Sequence, residues 1–315
     1  MPYPLSKLAY GLRSRLRELA SPAEAYALQV AAPDFEGFKP IQKLKNVTGL
    51  RLHFNDILPF GYEIEDSTES SDSQLVYRIG SDCMSLHNVN RRHSAKPIFD
   101  RCFLSAAIGI FFESSHLTAT FLHDFGAQTN LTFMSVFDCT FSADVTPHTF
   151  CTAYKNITEL TFDNLPQKLN WVDAFVETNY SGMTLLHFQV GDLDLLKVST
   201  IRIVAFLKAQ RHTFSMDIEL PRYDDAEVRQ TLEALFNSTY FVEKGNHHRA
   251  VRRVIIHTWN KPERYPRVCR VFCLKDEVTD KADNVRNPWR KRRYSSGYWG
   301  YDGPSSSKSA YKTDE

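Results

Sequence analysis

The sequence predicts an α/β fold of stacked strand-plus-helix units, and three observations carry that reading. The first is a repeated phrase with apolar residues at its first, fourth and sixth positions and Thr at its second. It reads Val47-Thr48-Gly49-Leu50-Arg51-Leu52, Leu131-Thr132-Phe133-Met134-Ser135-Val136, Ile157-Thr158-Glu159-Leu160-Thr161-Phe162 and Met183-Thr184-Leu185-Leu186-His187-Phe188, with a looser copy at Leu117 to Leu122. The second is spacing: the copies at 131, 157 and 183 begin 26 residues apart. The third is the alternation of strand-like and helix-like runs from 117 to 259. Units this short bury an apolar face only against their neighbours, so they stack, and a stack presents a surface.

The elements follow in order. Residues 4–31 form a helical unit, with Leu5, Leu8, Leu12, Leu16 and Leu19 on one face and Arg13, Arg15, Arg17 and Glu18 on the other. Ser21, Pro22 and Glu24 supply an N-cap, a first-turn proline and a first-turn acid for a second short helix that Pro33 closes. The first phrase copy is a strand. Residues 61–64 and 75–79 read as strands flanking an acidic, serine-rich hairpin tip at 65–73. Phe99, Phe103, Ala107 and Phe111 recur every four residues and predict a helix over 97–112. Further helices are predicted at 148–155, 168–178, 197–210 and 224–237, and strands at 214–220 and 251–256. Strand–helix alternation at this pitch favours parallel strands with helices outside. From Lys275 the chain turns polar and is expected to be disordered. The organisation is then a helical unit over 1–40, an α/β domain over 41–274 and a polar, basic tail over 275–315.

Composition excludes little but bounds the class. Hydrophobic residues at 43%, charged residues at 24% and a net charge of +1 suit a soluble globular chain, with no global pull toward nucleic acid or membrane. The 22 Phe against 13 Gly fit aromatic-packed strands rather than glycine-rich phosphate loops. Cys83, Cys102, Cys139, Cys151, Cys269 and Cys273 are scattered, unlike a disulfide framework. No secretory signal pattern or run of about 18 apolar residues is present, so an intracellular, cytoplasmic location is expected. Glycosylation-like triplets begin at Asn46, Asn130, Asn156, Asn179 and Asn237; these asparagines read as turn residues entering strands.

The phrase extends into a longer pattern. Asn55 and Ile57 follow Leu52, Cys139 and Phe141 follow Val136, and Gly191 and Leu193 follow Phe188. At these positions the sequence resembles the leucine-rich repeat family, although Asn164 and Leu165 fall early after Phe162. The expected fold is therefore an irregular leucine-rich-repeat-like strand/helix solenoid. The N-terminal unit resembles an F-box: Leu8, Leu12, Leu16, Leu19, Pro22, Glu24, Leu28 and Val30 follow that family's order, with Ala9 where the family usually has Pro. The run Tyr3 to Arg13 also resembles nematode F-box-like proteins. An F-box ahead of a leucine-rich-repeat array implies a non-catalytic substrate receptor of an SCF-type ubiquitin ligase. Leu8, Leu12, Leu16, Leu19 and Leu28 would then seat in a groove on a Skp-type subunit. Arg51, His53, Ser135, Thr161 and His187, pointing outward from strands, would face a protein substrate.

No catalytic residue, metal ligand or cofactor is predicted. The chain lacks a phosphate loop, a nucleophile elbow and zinc-spaced Cys/His sets, and His247 and His248 sit in a basic loop. His53, His87, His123, His187 and His257 read as exposed strand positions. The basic run Trp289 to Tyr294 can serve nuclear import or, less in keeping with the whole, stack on single-stranded nucleic acid. A repeat scaffold without a ubiquitin connection, whose N-terminal helices merely cap the stack, is the alternative function. An enzyme hidden in an irregular array is the third.

Overall fold

The computed structural model describes residues 7–33, 39, 41–56, 62–64, 75–80, 83–104, 109–163, 171–189, 196–220, 226–244, 251–258 and 268–278. Helices α1 (Tyr10–Leu19) and α2 (Pro22–Ala31) precede β1 (Lys43–Val47), β2 (Leu50–Phe54), β3 (Tyr62–Ile64), β4 (Leu75–Ile79) and β5 (Cys83–His87). Next come α3 (Lys96–Phe99), β6 (Cys102–Leu104), β7 (Gly109–Glu113), β8 (His116–Leu117), α4 (Ala119–Ala127), β9 (Phe133–Phe137) and β10 (Thr140–Phe141). Then follow α5 (Pro147–Ala153), β11 (Glu159–Phe162), α6 (Trp171–Glu177), β12 (Leu185–Gln189) and α7 (Thr200–Ala209). The order ends with β13 (Ser215–Leu220), α8 (Ala226–Leu235), β14 (Phe241–Lys244), β15 (Arg253–Thr258) and β16 (Val268–Leu274).

The fold is mixed α/β with parallel sheets, and among the described residues none is closed into a barrel. Its main sheet runs β14-β16-β15-β13-β12-β11-β9-β7-β5-β2-β3, and β1, β4 and β6 form a second, parallel sheet. From β2 to β15 every neighbouring pair is parallel and the strands sit in chain order. Antiparallel β3, β16 and β14 finish the edges. Crossovers between parallel strands keep one hand, so steps that all run the same way put every connection on the same face. Among the described residues the opposite face of the sheet carries no helix of that series.

The phrase's apolar positions explain the core. Its sixth position generates the register row Leu52–Leu86–Phe112–Val136–Phe162–Phe188–Ile218–Ile256, every member fully buried. Its fourth generates a second buried row, Leu50–Met84–Ile110–Met134–Leu160–Leu186–Met216–Val254. Aromatic side chains tie this layer to the helices: Trp171 of α6 lies 4.5 Å from the Phe162 ring, and Phe175 stacks on Phe206 of α7 at 5.3 Å.

The 26-residue period is written in hydrogen bonds. Thr158 Oγ1 donates to Thr132 O at 3.0 Å and Thr184 Oγ1 to Thr158 O at 3.1 Å, which accounts for the Thr in the phrase. Asn156 Nδ2 donates to Asn130 Oδ1 at 2.6 Å, and Tyr180 Oη donates to Tyr154 O. Strands β5, β7 and β9 are each followed by a residue in the left-handed region, Asn88, Ser114 and Asp138. The next residues, Val89, Ser115 and Cys139, then form a second ladder in which His116 N–H donates to Val89 O and Thr140 N–H to Ser115 O. Cys139 thus sits where the chain turns away from β9, and Ser115 fills the same position one strand earlier.

Several expectations are corrected. Residues 97–112 are not one helix: α3 ends at Phe99, and the stretch continues into β6 and β7. Pairing of β7 between β5 and β9 buries Ile110 and Phe112 at a period of two, which overrides the period-four Phe pattern. The looser phrase copy at 117–122 is a helix start, because the Thr118 hydroxyl accepts from Phe121 N–H and Phe121, Leu122 and Phe125 bury with helical spacing. Strands β3 and β4 belong to different sheets, so no hairpin joins them; the acidic stretch between them lies outside the described residues. Asn46 lies inside β1, not at a turn. Order also extends past 274. Lys275 N–H donates to Tyr240 O, Lys208 pairs with Asp276, and Arg252 pairs with Glu277, so residues 275–278 belong to the fold. The described residues up to 278 belong to one compact unit; the predicted disordered tail beyond 278 lies outside the described residues, as do Leu5, Ile57, Asn164, Gly191, His247 and His248.

Candidate functional site

Alternation along each strand sends every second side chain to the helix-free face. Strand pairing then sets these residues in rows. One row is Arg51–Ser85–Phe111–Ser135–Thr161–His187–Asp217–Ile255. Four of the five predicted substrate-facing residues, Arg51, Ser135, Thr161 and His187, therefore share one line across the sheet. The fifth, His53, opens the neighbouring line His53–His87–Glu113–Phe137.

The chemistry along these lines is uneven. His53 stacks on His87 with ring centroids 4.5 Å apart, and His87 Nδ1 lies 3.6 Å from Glu113 Oε2. Phe111 then meets Phe133 edge-on at 5.2 Å and Phe137 in a stack at 6.4 Å. All three rings are half-buried, whereas Ser135, between Phe133 and Phe137 on the same strand, is 2% exposed. Ser135 thus forms the floor of the aromatic patch and Thr161, half-buried, its margin. Farther on, His187 Nε2 sits 3.2 Å from Glu219 Oε1. Burial raises the Asp163 carboxyl above the ordinary range, and the charges of Asp138 and Glu219 push the same way. Sequence reasoning missed the Phe trio, although Phe133 and Phe137 flank Ser135 at the strand period and were legible from it.

The N-terminal helices divide their duties. Ser21 and Glu24 form a reciprocal cap in which Ser21 Oγ accepts from Glu24 N–H and Glu24 Oε2 from Ser21 N–H. α2 buries Ala23 and Ala25, its Ala23 N–H donates to Asp100 O at 2.9 Å, and Tyr26 meets Phe103 at 5.6 Å. α1 does the opposite. None of its described side chains is buried; Leu12 is 59% and Leu19 69% exposed, while Leu8, Leu16 and Leu28 are half-buried. Val30 on α2 is 60% exposed.

A cleft of about 380 Å³ lies elsewhere, lined by Arg91, His93, Thr118, Thr120, Asp124 and Asp144 among others. Two of its ionisable groups, His93 and Arg91, are engaged in structural pairs. His93 Nδ1 accepts from Asn90 N–H, which leaves the proton on Nε2, 2.8 Å from Asp56 Oδ1. Arg91 Nε donates to His116 Nε2, so His116 Nδ1 carries its proton toward Thr140 Oγ1; burial and the Arg91 charge lower the His116 pKa. Burial pushes the thiols of Cys102 and Cys139 to about 12 and that of Cys151 to about 11, the wrong direction for a nucleophile. Among the described residues no group of three or more His, Cys, Asp or Glu is placed to hold a metal ion, and no helix is long and apolar enough to cross a membrane. No family model, curated protein or solved structure matches the chain.

Proposed function

We propose that this protein is a non-catalytic recognition adaptor of an SCF-type ubiquitin ligase, in which the helix-free sheet face binds a protein substrate and α1 seats in a Skp-type subunit. The observation that carries the reading is the contrast between α1 and the other helices. α4, α6 and α7 each bury three or more residues against the sheet. Leu8 just ahead of α1 and Leu12, Leu16 and Leu19 on it form a regular leucine stripe, of which Leu12 and Leu19 are exposed and Leu8 and Leu16 half-buried. Burying one exposed leucine on docking is worth about 1.5–3 kcal/mol, so exposed Leu12 and Leu19 favour a partner. The chain-ordered parallel strands and the 26-residue ladder support an irregular leucine-rich-repeat-like array, with one face for the core and one for recognition.

The scaffold reading uses the same sheet face but asks the N-terminal pair only to cap the stack. α2 fits that role; α1, none of whose described side chains is more than half-buried, fits it less well. The deciding experiment is capture of a Skp-type subunit by the full chain. Capture that is lost in Leu12→Asp, with the melting temperature unchanged, supports the adaptor. Failure of the intact chain to bind overturns it, since Leu12 and Leu19 are already accessible.

A further inference from the structure

Resting on the recognition role proposed above, we infer that the helix-free sheet face takes an unmodified basic peptide segment carrying apolar anchors, with the anchors against Phe111, Phe133 and Phe137 and Lys or Arg side chains against the carboxylates around them. The rings lie on adjacent strands β7 and β9 and form a half-exposed apolar patch. Register places the acids around it. Glu113 pairs with Phe137, and Glu159 pairs with both Phe133 and Leu185. Asp163 closes the far end of β11 beside Asp138, and Asp217 and Glu219 follow on β13. Among the described residues, no Lys or Arg stands on this face from β5 through β13; His87 and His187, each beside a carboxylate, are its cationic-capable groups. Arg51 and Arg253 appear only on the flanking strands β2 and β15.

The dimensions suit an extended chain. Neighbouring strands stand about 4.8 Å apart, so apolar and acidic positions on this face alternate within roughly 5–10 Å, the range that alternate side chains of an extended peptide span. Charge decides between partners. A phosphorylated or acidic peptide, or a nucleic acid, would add negative charge to six carboxylates. A basic segment relieves their mutual repulsion, including the part that Asp138 and Glu219 add to burial in raising the Asp163 carboxyl.

The test uses synthetic peptides of about ten residues, fluorescently labelled, titrated into the full chain. One alternates Arg with Phe and Leu; a second keeps the apolar residues and replaces Arg by Glu; a third keeps Arg and replaces the apolar residues by Ser. The first is expected to bind, the second not at all, and the third at least about tenfold more weakly than the first. Raising salt from about 50 to 300 mM should weaken binding of the first. Glu159→Gln with Asp163→Asn, near-isosteric changes, should weaken it about five- to tenfold, and Phe133→Leu should weaken it without altering the salt dependence. Binding of the acidic peptide as tightly as the basic one, no binding of the basic one, or no effect of the Glu159→Gln, Asp163→Asn pair would overturn the inference. Skp-subunit capture is measured on the same preparations. Its loss with peptide binding intact counts against the adaptor role alone, and its retention without peptide binding counts against this inference alone.

Discussion

The hydroxyl of Thr158 donates to the backbone carbonyl of Thr132 at 3.0 Å, across 26 residues of chain, and Thr184 repeats the contact on Thr158 at 3.1 Å. The Thr132 carbonyl also accepts the N–H groups of Thr158 and Glu159, so losing the hydroxyl bond does not strand it. Thr158→Val should therefore cost at the low end for a hydrogen bond, about 0.5–1 kcal/mol, part of which valine's strand preference returns. Urea denaturation checks this: a lower midpoint at unchanged slope, with the Thr158→Val, Thr184→Val double variant losing about twice as much.

Gly126 sets two effects against each other. Alanine in a helix gains up to about 1 kcal/mol over glycine. Here a Cβ would sit 2.5 Å from the Ala153 carbonyl oxygen at the end of α5, a backbone atom that cannot swing away. Overpacking costs about 1–3 kcal/mol, so the clash wins and Gly126→Ala is expected to destabilise. A melting temperature at or above that of the parent chain would show that α4 and α5 are not so tightly apposed.

Asp163 makes stability pH-dependent in a stated direction. Its folded-state pKa is raised, first by burial and then by Asp138 and Glu219. Its contribution is then fully present below the unfolded carboxylate pKa and is lost as pH rises through the folded value. Asp163→Asn, which still accepts from the Asp138 backbone, should raise the melting temperature near pH 7, and that gain should vanish by about pH 3. Equal gains at both pH values would refute the electrostatic origin.

Arg252 and Glu277 join the strand layer to the last described turn. The Arg252 Nη1 pairs with Glu277 Oε1, its Nε donates to Gln210 O at 2.9 Å, and both side chains are largely shielded. Glu277→Ala leaves a half-buried guanidinium with one partner fewer and should cost about 1–3 kcal/mol. Removal of residues 275–315 should cost at least as much as Glu277→Ala, and differential scanning calorimetry measures both.

Much of this fold was legible because its signals are local. Apolar positions four and six of the phrase fell on the core rows as expected, since a strand's alternation fixes its inward side before any partner is present. The Ser21–Glu24 cap was equally readable, because its bonds span three residues. The stretch 97–112 failed for the converse reason: its Phe spacing suits a helix in isolation, and only pairing of β7 with β5 and β9 makes it a strand.

Local chemistry in the chain was sufficient to mark strands, caps and outward-pointing residues. Contact between positions far apart in sequence required the folded sheet. Arg51 and His187 lie 136 residues apart in the chain, and register alone sets them in one row with Phe111 between them. The same pairing sinks Ser135 beneath its aromatic neighbours and gathers the acids of three strands around them, while α1 is left with Leu12 and Leu19 exposed. Backbone hydrogen bonds between strands set those neighbours, and no local pattern encodes which strand will lie beside which.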